Sequence, residues 1–174
     1  MIINPAEVVR HFLKLEATRR NYSDRKDELL SWCTLSNSEV MAKARDFAVQ
    51  RDDRNPVSVY TIGLPGDDRH TRVANWTLER INCREIFSSG IAGNMEADIN
   101  AVKGNLYDFA NGPANKYDEF RPLGPLCEIT GRVIVVAKQV EGRKGKYEAI
   151  DGSHRLVALC RNECPDVEAF VAHM

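Results

Sequence analysis

Three observations predict an α+β fold: a small mixed sheet with packed helices, preceded by a helical N-terminal region. Roughly the first fifty residues carry helix caps and apolar positions at steps of three and four. Residues 131–172 read as strand, hairpin, strand, helix, strand. A chain of 174 residues, 43% hydrophobic and 28% charged, can bury a packed core and is not disordered in bulk. These features divide the chain into a helical part over 1–75 and a sheet-containing part over 76–174.

Asn4-Pro5-Ala6-Glu7 opens the first helix, with Asn as cap, Pro in the first turn and an acid three residues on. Val8, Val9, Phe12, Leu13 and Leu15 form its apolar stripe. Ser23 to Cys33 predicts a short second helix. Ser36 with Glu39 repeats the capping-box pattern, and Val40, Met41, Ala44, Phe47 and Ala48 follow at helical spacing. Asp52-Asp53-Arg54-Asn55-Pro56 ends this region. Val57, Val59 and Ile62 then predict a strand, and Gly63-Leu64-Pro65-Gly66-Asp67-Asp68 a polar turn.

Val73 to Ile86 is rich in strand formers, with Trp76, Leu78 and Ile81 as core candidates. After Gly90-Ile91-Ala92-Gly93, residues Met95, Ile99, Val102, Leu106 and Phe109 predict an amphipathic helix. Asn111-Gly112-Pro113 stops it, and the stretch to Thr130 reads as a long functional loop. Val133 to Ala137 is a β-branched run suited to a buried strand. Glu141 to Gly145 is a turn, and Tyr147 to Ile150 a second strand. Asp151-Gly152-Ser153-His154-Arg155 then opens a helix with Leu156, Leu159 and Cys160 on its inner face, and Val167 to Ala172 forms the last strand.

The charge balance, 24 Lys plus Arg against 25 Asp plus Glu, excludes a polybasic nucleic-acid binder as a whole-chain reading. No run approaches the roughly 20 apolar residues of a membrane span. Met1-Ile2-Ile3-Asn4-Pro5 lacks the layout of a signal peptide, so a cytoplasmic protein without a membrane partner is expected. Cysteines stand at 33, 83, 127, 160 and 164 with no Cys-x-x-Cys pair. That spacing predicts core or surface thiols rather than a disulfide framework or a zinc ribbon, and no metal ligand is assigned.

The chemistry concentrates at Asp151-Gly152-Ser153-His154-Arg155. A glycine between strand and helix turns the backbone tightly and lets a ligand approach it. The first amides of a helix carry partial positive charge suited to phosphate. Arg155 can grip phosphate oxygens with its planar fork, and His154 can donate a hydrogen bond. The same pentapeptide also serves as a plain helix cap. Arg132, Lys138, Arg143, Lys144 and Lys146 lie around the hairpin, either as contacts to a DNA backbone or as a solvated tip.

The run Tyr147-Glu148-Ala149-Ile150-Asp151-Gly152-Ser153-His154-Arg155-Leu156-Val157-Ala158-Leu159 resembles the ParB/sulfiredoxin superfamily, whose members carry a strand, a Gly-x-His-Arg or Gly-x-Arg-Arg turn and a helix. The likeness covers about residues 131–172. It implies the superfamily's mixed sheet and nucleotide phosphate binding at Asp151, Gly152, Ser153, His154 and Arg155, with ATP and Mg²⁺ as cofactors. Ser153 stands where sulfiredoxins have their catalytic cysteine, so sulfinic-acid reduction is not expected. His154-Arg155 departs from the Arg-Arg of the partition proteins. Two branches remain. The plasmid oncogenic-suppression or fertility-inhibition branch implies ATP hydrolysis and DNA nicking, with Arg155, His154 and Glu128 as catalytic residues. The free-serine kinases share an Asp-Gly-x-x-Arg turn and use a glutamate base, for which Glu85, Glu96, Glu119 and Glu128 are candidates. A third reading is a non-catalytic, nucleotide-dependent protein that meets a protein partner through the N-terminal helices. Exposed Trp32 or Trp76 would favour that reading.

Overall fold

The computed structural model describes residues 1–18, 20–50, 56–87, 132–141, 145–152, 155, 156, 159 and 166–174. They are mixed α and β, with six strands in one mixed sheet. The chain divides into two compact units, Ile2–Trp76 and Thr77–Met174, the latter together with Met1.

The helical unit begins with a two-residue strand, β1 (Ile2–Ile3), and helix α1 (Pro5–Glu16). The Asn4 side chain caps α1 by accepting from the Ala6 N–H at 2.9 Å. Glu7 does not reach back to the cap; it binds Arg10 Nη1 at 2.7 Å instead. The predicted helix over 23–33 is a 3-10 segment, Arg20–Arg25, followed by α2 (Lys26–Trp32). Helix α3 (Asn37–Gln50) starts at the capping box read from the sequence. Its Ser36 N–H and hydroxyl both bind Glu39 Oε2, at 3.1 and 2.5 Å. The hydrogen bonds from Ser36 hold the exposed Glu39 carboxyl below its usual range. Ala6, Val9, Leu13, Leu29, Trp32, Val40, Ala44 and Phe47 form one core, in which the Trp32 ring meets Phe47 edge-on at 5.8 Å.

The strand expected over Val57–Ile62 is instead helix α4 (Pro56–Thr61). Residues 57 to 61 are all buried, so no two-residue alternation distinguishes an inner from an outer face. Pro56 at the first helical position suits a helix start, and the Thr61 hydroxyl donates back to the Val57 carbonyl at 2.6 Å. Burial on every side overrides the β-branched preference that pointed to a strand.

Strand β2 (Asn75–Asn82), all but its first two residues in the second unit, leads through a 3-10 turn, Cys83–Glu85, to β3 (Ile86–Phe87). The Asn82 side chain caps that turn by accepting from the Arg84 N–H at 3.0 Å. Trp76 and Ile81 are buried as expected, whereas Leu78 is half-buried. The predicted helix over 95–109 and the loop to 130 lie outside the described residues. Strands β4 (Val133–Ala137), β5 (Tyr147–Asp151) and β6 (Asp166–His173) complete the unit. Strands β2 to β6 stand in the order β2-β6-β4-β5-β3. The pair β4/β6 is parallel, from Val133 opposite Ala169 to Ala137 opposite His173. The pair β4/β5 is antiparallel, with an irregularity between Ile134 and Val135. Val133 to Val136 are fully buried, as a central strand covered on both faces requires. Leu156 and Leu159 sit in the cluster that also holds Val133, Val135, Ala149 and Val171.

Candidate functional site

The predicted phosphate turn lies where β5 ends. Asp151 is the last residue of β5, and Gly152 follows with φ +87°. A Cβ built on Gly152 would lie 2.8 Å from Arg155 Nη2 and 2.9 Å from Val133 Cγ1. Both the backbone conformation and the space therefore demand glycine. The next helical turn closes at once, because the Leu156 N–H donates to the Gly152 carbonyl at 2.9 Å. This carries Arg155 back over the end of β5, where its side chain reaches Asp151. Arg155 Nη2 donates to Asp151 Oδ2 at 2.9 Å, and Nη1 donates to the Arg132 carbonyl at 3.1 Å. The Asp151 side chain keeps 8% of its surface exposed and that of Arg155 21%. A carboxylate and a backbone carbonyl thus aim this guanidinium, and 21% exposure leaves it within reach of solvent.

No family model, curated protein or solved structure matches the chain. Function must be argued from the arrangement of its own residues.

Ser153, His154 and Glu128 lie outside the described residues, as do Arg143, Lys144, Glu96 and Glu119. The remaining predicted residues do not form one patch. Arg132 precedes β4, and Lys138 follows it, so a five-residue strand of about 17 Å separates them. Arg132 belongs to the end of the sheet that carries Gly152. There its guanidinium lies 5.4 Å from the Phe170 ring and binds Glu168 at 3.3 Å. Lys138 and Lys146 sit at the hairpin end, where the Lys138 N–H donates to the Lys146 carbonyl. Each meets a carboxylate there: Lys138 Nζ binds Glu148 at 3.1 Å, and Lys146 Nζ binds Glu85 at 2.7 Å. The Glu85 partner raises the Lys146 pKa. Glu85, a candidate kinase base, is therefore held in an ion pair.

Trp32 and Trp76 are both buried, so neither offers the exposed aromatic that a partner surface would use. Among the described residues, no three of His, Cys, Asp and Glu converge as a metal site. The Asp151 carboxylate, the one acid at the turn, is committed to Arg155. Cys33 keeps the inert character expected of a structural thiol, since burial raises its pKa. Cys83 is buried in the core of the second unit. No helix among the described residues is long and apolar enough to cross a membrane.

Two features escaped the sequence reading. Glu148 is a buried carboxylate inside β5, signalled only by its position between Tyr147 and Ala149. Thr77, Glu79 and His173 meet side chain to side chain across 94 to 96 residues of sequence. No local pattern reports that contact, because it depends on β2 lying beside β6.

Proposed function

We propose that the turn Asp151-Gly152-Ser153-His154-Arg155 binds the phosphate groups of a nucleotide, and that the chain is a ParB-like ATP hydrolase. One observation carries this reading. The glycine that bares the backbone stands directly against a guanidinium oriented by two separate acceptors. An arginine held in place before the substrate arrives stabilises charge developing on a phosphoryl group without reorganising. Arg155 is the group that would meet the phosphate oxygens, Gly152 gives the close approach, and Asp151 positions Arg155. Mg²⁺ would arrive on the nucleotide phosphates and neutralise part of their charge; no described cluster provides a cage for it. Hydrolysis is preferred over transfer to a small hydroxyl compound because Glu85, the candidate base among the described residues, is held by Lys146. Nicking of DNA is the weaker extension, because Lys138 and Lys146 already meet carboxylates.

The test incubates the full chain with Mg²⁺, ATP and supercoiled plasmid, with and without free serine, beside Arg155→Lys and Arg155→Ala. ADP release that falls by about 10²-fold in the variants supports the reading. Turnover that survives in both variants sinks it. Serine-dependent release would transfer the assignment to the kinase branch. Circular dichroism of Arg155→Lys, which keeps the charge, separates loss of function from loss of fold.

A further inference from the structure

Helix α3 carries apolar residues on two sides. Val40, Ala44, Phe47 and Ala48 are buried on the side that faces the core of the helical unit. Ala42 and Val49, two turns apart, lie on the opposite side. Both are exposed, and Val49 keeps 47% of its surface in solvent. Beside Ala42, Met41, Arg45 and Asp46 join Thr61 and Ile62 in lining an open groove of about 440 Å³.

Arg45 and Asp46 stand between Ala42 and Val49 on the exposed side. Neither side chain forms a hydrogen bond or ion pair among the described residues. Neighbours in sequence diverge around a helix, so the two do not face each other. Three and four residues from Arg45 stand Met41, Ala42, Ala48 and Val49, none of them an acid.

A second α3 laid antiparallel across this face, with a two-fold axis between Arg45 and Asp46, meets all of these features together. Arg45 of each copy then stands opposite Asp46 of the other, which makes two ion pairs. Ala42 of each stands opposite Val49 of the other, and the small residue lets the helices approach to about 8–10 Å. Val49 thereby enters the groove of the other copy beside Ala42. A two-fold interface must be self-complementary, and one Arg and one Asp flanking its centre satisfy that condition. Any other protein would have to bring a matching acid and base, whereas a second copy brings them by symmetry.

We propose that the outer face of α3 is the interface of an antiparallel homodimer of this chain. The apolar pair supplies the attraction, and the charges fix direction and register. The contact is small, so the dimer is weak and forms in proportion to protein concentration. This interface lies within the helical unit and does not depend on the phosphate reading.

The test follows the mass of the full chain by sedimentation equilibrium over about a hundredfold range of concentration. The variants are Arg45→Asp, Asp46→Arg and the exchange that combines both, each checked by circular dichroism. These changes lie on the solvent side of α3, away from its core. The wild type is expected to rise from monomer to dimer mass. Each single variant sets like charges against one another across the axis and should weaken the dimer by at least about tenfold. The exchange restores both ion pairs and should return to within about threefold of the wild type, a rescue that a general loss of helix stability would not produce. A wild type that stays monomeric throughout, which would leave the groove to a different partner, overturns the assignment. So does a dimer that the single variants leave unchanged, or an exchange variant as weak as the singles.

Discussion

Replacing Gly152 by alanine tests whether the turn is built as described. The φ of +87° is one that L side chains rarely adopt, and holding a non-glycine residue in such a region costs on the order of 1–3 kcal/mol. The new Cβ would also stand 2.9 Å from Val133 Cγ1 and 2.8 Å from Arg155 Nη2. Val133 is fully buried in the central strand and cannot yield cheaply. The guanidinium can swing away, but only by giving up its bonds to Asp151 and the Arg132 carbonyl. Each such bond is worth about 1 kcal/mol net, and more where a charge is involved. The expected loss is therefore about 3 kcal/mol in the unit that contains β4, β5 and β6. Urea denaturation followed by circular dichroism, together with amide exchange at Val135 and Val171, reads that unit directly. Trp32 fluorescence is the wrong probe, since that residue belongs to the helical core. A destabilisation below about 0.5 kcal/mol would show that neither the backbone strain nor the lost bonds is real.

Arg10→Ala should destabilise the helical unit by about 2–3 kcal/mol, since it strands acceptors of several hydrogen bonds. Arg10 donates to the Cys33 and Leu35 carbonyls at 3.1 and 2.7 Å and to Asn37 at 2.8 Å, tying α1 to the connection between α2 and α3; thermal melting read by Trp32 fluorescence gives the result. Glu79 supplies a pH signature. Its folded pKa is depressed, chiefly by Thr77 and then by His173, so its contribution is fully present above the unfolded value of about 4.3 and is lost as pH falls through the lower folded value. Thr77→Val should flatten this acid limb of the stability curve while changing neutral-pH folding less, and equal acid midpoints for the two proteins would contradict the assignment.

Local chemistry made much of the fold legible. Asn4 and the Ser36–Glu39 pair marked two helix starts because capping is a short-range hydrogen bond. Val133 to Val136 announced a buried strand because four consecutive apolar β-branched residues fit a strand covered on both faces. The segment at 57 to 61 was misread because its burial comes from neighbours distant in sequence. The same limit governs the site. The contact of Asp151 with Arg155 spans only four residues of chain across the Gly152 turn, but the Arg132 carbonyl beneath Arg155 depends on β4 running antiparallel to β5. Arg132 looked like part of the basic hairpin by position alone, and strand direction carries it to the opposite end. Thr77, Glu79 and His173 were invisible for the same reason, since only the order β2-β6 brings them together.

Calorimetric titration of the wild type and Arg155→Lys with Mg²⁺-ATP, and with the matching nucleoside, tests the phosphate site most directly. The wild type is expected to bind ATP and the nucleoside far more weakly, and Arg155→Lys is expected to lose at least about tenfold, or 1.4 kcal/mol, through loss of the fixed fork. Equal ATP affinity in wild type and variant, or a nucleoside that binds as tightly as ATP, would contradict it.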